Sequence, residues 1–295
     1  MFLYTVKYIA ISPVKDEAES VERTLQSMIR QSVKPLRWFI VDDGSCDETA
    51  TIIERYVKDY EFISLIRYPS GKARQTGKAE VVAFYQGLEA AEGLEYDFIV
   101  KLDGDLSFEC DYFKGLLEKF HEDPKLGIAS GVYSERSTDG KWEEVAMPSY
   151  HAAGASKVVR KACFDQIGGF VPVRGWDTLD EIRAMTLGWH TGHFEEIKMK
   201  HWKREGSRMG ALRTNFMHGE IYYRTGGSRI FFLLKVLHRF ICRPFIIGGL
   251  ALLWGYLKTM FSQQGRIVNQ DEARCYRTLL NRRLFGSVKK LLESN

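Results

Sequence analysis

At 295 residues, 45% of them hydrophobic and 27% charged, the chain can bury a core of one or two α/β domains, and disordered and fibrous classes are excluded. Its five cysteines (Cys46, Cys110, Cys163, Cys242 and Cys275) are far apart with no C-x-x-C, which excludes a disulfide scaffold or structural zinc site and fits a reducing cytosol. The net charge is only +4, no run of 18 uncharged apolar residues occurs, and the opening MFLYTVKYIAISPVKDE lacks a signal-peptide pattern, so neither a spanning helix nor a secretory leader is expected.

In chain order, the apolar run Tyr8–Ser12 predicts a first strand closed by Pro13, and Val21, Leu25, Met28 and Ile29 give helical spacing over 16–31. Trp38–Val41 predicts a second strand running into Asp42-Asp43-Gly44, with Asp47 as N-cap of a helix through Ile52, Ile53 and Val57. Phe62–Ile66 is a third strand and Gly77 precedes a helix over 78–91. Phe98–Leu102 is a fourth strand ending at Asp103-Gly104-Asp105, followed by a helix over 111–121 and a strand over 126–133. Strands alternating with helices predict a parallel sheet covered on both faces, whose ligands bind beyond the strands' carboxyl ends.

Two of those ends carry acid pairs. Asp and Gly cluster in ordinary turns, but four carboxylates on neighbouring strand ends repel unless a cation offsets them. Two carboxylates one residue apart suit a hard divalent ion with sites left for phosphate oxygens, so a nucleoside diphosphate bound through Mn²⁺ or Mg²⁺ is the expected ligand.

With these motifs in hand, the sequence resembles the family 2 glycosyltransferases, which have the GT-A fold. The resemblance runs over about residues 8–210 and rests on Ser12-Pro13 with Glu17, on Asp42-Asp43-Gly44-Ser45-x-Asp47-x-Thr49, on Gly77-Lys78, and on Asp103-Gly104-Asp105 as the D-x-D. It implies that Pro13, Glu17, Asp42 and Asp43 line the nucleotide pocket, that Asp105 is the main metal ligand, and that Asp103 contacts ribose or metal. Lys78 would set positive charge against the diphosphate if the fold brings it near.

The resemblance also implies an inverting transfer, in which a carboxylate takes the acceptor hydroxyl's proton. In the family that base opens a helix and is followed by an Arg and a Gly-aromatic pair. Here Trp176-Asp177-Thr178-Leu179-Asp180-Glu181-Ile182-Arg183 precedes Gly188-Trp189. The six-residue offset from Arg183 favours Asp177, the acidic doublet favours Asp180, and both are carried. Glu195–Lys200 reads as an edge strand, and a histidine after it, His201, completes the implied metal site. His151–Ser156 offers small residues ahead of a helix containing Arg160, Cys163 and Phe164, and the resemblance implies that this stretch lies beside the donor sugar.

Composition shifts near residue 226, which divides the chain into a catalytic region, 1–225, and a helical C-terminal region, 226–295. The latter holds twelve Lys/Arg against Asp271, Glu272 and Glu293, leaving the rest of the chain at −5. Lys235, Arg239 and Arg243 are spaced as one helical stripe before Pro244, and residues 244–257 are fourteen uncharged residues, too short to span a bilayer. Residues 229–261 are therefore expected to lie on the cytoplasmic face of a membrane, where a lipid-linked or polysaccharide-precursor glycan would be the acceptor. Nucleic acid is not expected, because large aliphatics are mixed among the bases. Gln263-x-x-Arg266 stops short of the Gln-x-x-Arg-Trp of processive synthases, since Ile267 stands where Trp belongs. Two other readings are weaker. A sugar-nucleotide pyrophosphorylase would need a glycine-rich loop after the first strand, and a receiver-like signalling domain leaves Asp103-Gly104-Asp105 unexplained.

Overall fold

A computed structural model describes residues 6–68, 77–137, 139–203 and 210–293. Lys289 and Lys290 of the basic count lie outside the side chains described, and the first five residues outside the described chain. The chain divides into two compact units, Met1–Arg204 and Glu205–Asn295.

In the first unit the elements run β1 (Tyr8–Val14), α1 (Val21–Ile29), β2 (Arg37–Asp42), α2 (Thr49–Asp59), β3 (Ile63–Arg67), α3 (Lys78–Glu89), β4 (Phe98–Leu102), β5 (Leu106–Phe108), α4 (Tyr112–Glu122), β6 (Leu126–Arg136), β7 (Trp142–Glu144), β8 (Ser156–Arg160), α5 (Lys161–Gln166), α6 (Trp176–Thr186) and β9 (His190–His201). They build one nine-stranded mixed sheet, ordered β3-β2-β1-β4-β8-β6-β9-β5, with β7 paired to β6. Side chains sort by the two-residue period of a strand. Tyr8, Ala10, Trp38, Ile40, Phe98 and Val100 pack on one face with Leu25 and Met28 of α1 and Phe113 and Phe120 of α4. Ile9, Ile11, Phe39, Val41 and Ile99 face the other way, against Val81 and Phe84 of α3, Phe164 of α5 and Ala184 of α6. Both faces are covered, so these strands read as near-continuous apolar runs.

The structure corrects three local expectations. Residues 156–160 form β8, antiparallel to β4, and α5 begins only at Lys161. The polar character of Lys157, which is wholly buried, had masked that strand. The strand expected over 195–200 is twelve residues long and is not an edge, because β5 pairs with its far side. Asp47 stands one residue before the cap position of α2, which is Glu48, yet its carboxylate accepts from the amide of Thr49, the first residue of the helix, and also from the Ala18 amide.

The second unit holds α7 (Ala211–Arg224), α8 (Arg229–Phe240), α9 (Ile247–Phe261) and α10 (Gln270–Glu293). Its boundary falls before α7, ahead of the composition shift near 226, because α7 packs along α9. Glycine permits that approach. A Cβ on Gly219 would lie 2.0 Å from the Leu252 carbonyl oxygen, and one on Gly255 2.0 Å from that of Phe216. Gly219→Ala and Gly255→Ala are each expected to destabilise the protein by about 1–3 kcal/mol through overpacking. Gly265→Ala, where a Cβ meets nothing within 4 Å, is the control. Urea unfolding followed by circular dichroism checks the difference. Among the described residues no helix is long and apolar enough to cross a membrane.

Candidate active site

Because β1, β2 and β4 are parallel neighbours, their carboxyl ends share one edge of the sheet. The loop after β2 is locked to the loop after β1 by the polar side chains of the Asp42–Thr49 motif. Ser45 Oγ accepts from the Asp16 amide at 3.0 Å, Thr49 Oγ1 from the Glu17 amide at 2.7 Å, and Asp47 Oδ2 from the Ala18 amide at 3.1 Å. The Asp43 amide donates to the Val14 carbonyl at 2.9 Å, and Asp42 Oδ1 accepts from the Ser45 amide at 3.0 Å. Pro13 lies opposite Val41 in this register. Asp42 and Asp43 are both buried. Much of the motif is therefore scaffolding for a fixed edge.

The Asp103-Gly104-Asp105 turn connects β4 to β5. A Cβ on Gly104 would come within 2.7 Å of Val14 Cγ1, so only glycine lets the turn pass the end of β1. Thr24 of α1 bonds both the amide and the carbonyl of Leu106, holding β5 in place, and the Trp202 amide donates to the Asp105 carbonyl at 2.9 Å. The pairing of Leu106 with His201 brings the end of β9 to this turn. Ligand atoms of Asp103, Asp105 and His201 all lie within 4.8 Å of one another. His201 Nε2 is 3.3 Å from Asp105 Oδ2, and its Nδ1 is 3.3 Å from Glu135 Oε1, Glu135 being its β6 partner in register.

The acids here are crowded. Burial raises the Asp103 carboxyl, and Glu80 and Asp105 add to the shift against the pull of Lys101. Burial and the Asp105 charge likewise raise Glu17, despite its ion pair with Lys203. Lys101, buried in β4, joins the Asp103 turn to two other segments. Its ammonium pairs with Asp103 Oδ1 at 2.6 Å, bonds the Gly154 carbonyl at 2.9 Å, and pairs with Glu80 in the first turn of α3. Lys78, which opens that helix, is exposed.

Gly154 leads from the acid turn to α6. A Cβ on it would sit 3.6 Å from Asp177 Oδ2. Asp177 is half-buried, and among the described residues its carboxylate makes no hydrogen bond or ion pair. Asp180 differs. It is buried, and both its oxygens accept from Lys157 Nζ at 3.0 Å. Lys157 also bonds Glu181 Oε1 at 3.2 Å and the Asp177 carbonyl at 2.7 Å, while Glu181 accepts from His151 and from the Ala152 amide. The centre of the Trp176 ring is 5.4 Å from the Lys101 ammonium and 5.3 Å from that of Lys157.

A model of the family described as glycosyl transferase family 2 matches residues 9–232. The chain belongs to that family. Poly-beta-1,6-N-acetyl-D-glucosamine synthase of Staphylococcus aureus strain COL is 31% identical over 138 residues, which cover 45% of this chain and 31% of that protein. The corresponding synthase of Staphylococcus epidermidis is 29% identical over 139 residues. The chain thus spans about a third of the length of the curated relatives it matches. Among solved structures, the Pyrobaculum calidifontis mannosyltransferase PcManGT, in complex with GDP-Man and Mn²⁺, superposes with a TM-score of 0.54 at 14% identity, covering 99% of this chain and 89% of that one. S. aureus TarS 1–349 in complex with UDP-GlcNAc gives 0.53 at 16% identity, covering 92% of this chain and 78% of that one. At these identities the likeness is one of fold, and the fold is GT-A-like.

In this member of family 2, the structure brings Asp103, Asp105 and His201 together, keeps Pro13 and Asp42 in the last residues of β1 and β2, and sets Asp43 and Glu17 just beyond those strand ends. Sequence reasoning missed Glu135, Lys101, Glu80 and Lys157. Lysine inside the apolar run Phe98–Leu102 was a readable signal of a paired buried charge; Glu135 carried none, since only the β6–β9 register puts it beside His201. A carboxylate on a ligand histidine's second nitrogen orients the ring and raises its basicity. Glu135→Gln is accordingly expected to weaken Mn²⁺ binding by about 10–100-fold, measured by titration with the ion alone.

Proposed function

We propose that this chain is an inverting, metal-dependent glycosyltransferase, moving a sugar from a UDP- or GDP-sugar to a hydroxyl of a polysaccharide-precursor or lipid-linked glycan. The observation that carries the reading is the Asp103, Asp105 and His201 cluster at the sheet's carboxyl edge, joined through Lys101 and Gly154 to the half-buried Asp177. Separations below 4.8 Å among two carboxylates and an imidazole fit donors to one divalent ion. The nitrogen donor favours Mn²⁺ over Mg²⁺, which takes oxygen ligands. When bound, such an ion supplies positive charge against the departing diphosphate. In this reading Pro13, Glu17, Asp42 and Asp43 line the nucleotide pocket and Asp103 takes the ribose or the metal, while the exposed Lys78 is the cation for the diphosphate if the bound donor reaches the start of α3.

Asp177 is the base. It takes the acceptor hydroxyl's proton as that oxygen attacks the anomeric carbon and the bond to the diphosphate breaks on the opposite face. Asp180, committed to Lys157, holds the first turns of α6 in place. Relatedness to poly-N-acetylglucosamine synthases supports a polysaccharide-precursor acceptor and makes UDP-GlcNAc the first donor to try. A thermal-shift panel of UDP-GlcNAc, GDP-mannose and other nucleotide sugars, with and without Mn²⁺, tests the reading, since a bound ligand raises the melting temperature by mass action. A shift from at least one donor that needs Mn²⁺ is expected; indifference to every donor would overturn it.

Burial alone would lower the His201 imidazole, but Asp105 and Glu135 outweigh it and push it up to about 10. At neutral pH the metal-free protein therefore carries a proton that His201 must shed before it can act as a ligand. Apparent Mn²⁺ affinity should rise with pH, by up to about tenfold per unit. Calorimetry in buffers of different ionisation enthalpy should register the released proton. In the metal-free protein the same shift stabilises the fold fully below the ordinary value of 6.5, and that contribution is lost as pH rises through about 10.

A further inference from the structure

The second unit carries an apolar surface that the transfer reaction does not use. In α8, Phe232 and Val236 turn inward and Phe232 stacks on Tyr256 at 4.3 Å, which leaves Ile230, Leu233, Leu234, Leu237 and then Ile241 on the outside. The connection to α9 continues the patch with Phe245, Ile246 and Ile247, each more than half exposed. In α9, Gly248, Gly249, Leu252, Gly255 and Thr259 are buried, whereas Leu250 and Trp254 face solvent. The uncharged stretch 244–257 is thus two-sided. One side is an ordinary packed helix, and the other extends the exposed face of α8. The basic stripe is also altered, because α8 ends at Phe240 and Arg243 stands at the connection beside Phe245.

Charge decides the occupant. Residues 229–261 contain Arg229, Lys235, Arg239, Arg243 and Lys258 and not one Asp or Glu. A second copy meeting this face across a two-fold axis would set the same cations against themselves. A bilayer with anionic headgroups complements both features, taking the aliphatic and aromatic side chains into its interface and the cations at its phosphates. No described helix can cross, so the contact lies in the plane of the surface. All five cysteines are free, which matches the reducing side.

We propose that the outer face of α8, the 241–247 connection and the exposed side of α9 form a docking surface for the anionic cytoplasmic leaflet, with Phe245, Ile246 and Trp254 entering the interface. This inference is independent of the donor and base assignments and survives their failure.

Co-sedimentation of the full chain with phosphatidylglycerol/phosphatidylcholine vesicles and with pure phosphatidylcholine vesicles tests it. Binding to the anionic vesicles is expected to exceed binding to the neutral ones by tenfold or more. High salt should weaken it only in part, because burial of the apolar residues is not screened. The double substitution Ile241→Glu with Phe245→Glu should cut binding at least tenfold, and Arg243→Glu by several-fold. Both sites are exposed, so circular dichroism should stay unchanged, and Leu187→Glu, an exposed apolar site in the first unit, should bind as the parent does. A chain that ignores anionic vesicles overturns the proposal, as does a double variant that binds like the parent. Light scattering that shows a dimer dissolved by the double variant assigns the face to a second copy and overturns it too.

Discussion

Asp105→Ala is expected to reduce transfer on the order of 10³-fold or more and to remove Mn²⁺-dependent nucleotide binding, with the fold retained. The side chain closes a turn at the sheet edge, faces His201, and belongs to neither apolar cluster, so its removal opens no cavity in the core. A metal ion contributes several kcal/mol of charge stabilisation to a departing diphosphate, and each 1.36 kcal/mol is about a factor of ten in rate. Metal-dependent tightening of UDP or GDP, followed calorimetrically, separates this from a folding defect. A variant that keeps near-parent turnover in Mn²⁺ would show that the ion, if used, is held elsewhere.

Asp177→Asn and Asp180→Asn should fail in different ways. Loss of a general base costs about 10²–10⁴-fold in kcat, so Asp177→Asn should bind donor normally and turn over slowly, with an unchanged melting temperature. Asp180→Asn removes one of two carboxylates neutralising the buried Lys157, and breaking a buried pair costs up to about 3–5 kcal/mol. Its first symptom should be lost stability, visible in thermal unfolding before any assay. A stable Asp180→Asn protein without turnover, beside an active Asp177→Asn, would exchange the two roles. Normal turnover in both would move the base off this helix.

The ordered motifs were legible because each is local. Asp42-Asp43-Gly44-Ser45, Asp103-Gly104-Asp105 and the acids of 177–181 follow strands or open a helix, and both periodicities can be read within ten residues. β5 and β8 were not legible for opposite reasons. β5 is three residues long and exists only because Thr24 and β9 hold it. β8 hides a buried lysine whose charge is offset by acids more than twenty residues away.

The choice between Asp177 and Asp180 shows the same limit from the side of the site. Both are acids near the start of one helix, and the sequence cues divide between them, the offset from Arg183 favouring Asp177 and the doublet with Glu181 favouring Asp180. Only packing puts Asp180 against Lys157 and leaves Asp177 facing Gly154.

By itself, then, the sequence determined the alternation of strands and helices, the carboxyl-edge acids, and the basic, acid-free character of residues 229–261, all properties carried by neighbours along the chain. Tertiary structure alone decided which carboxylates meet at His201, that Glu135 backs it, that Lys101 ties Asp103 to Gly154, and which side of α9 is exposed. Such pairings join residues tens of positions apart through strand register and helix packing. Their strength comes from burial, which exists only once the sheet has closed around them.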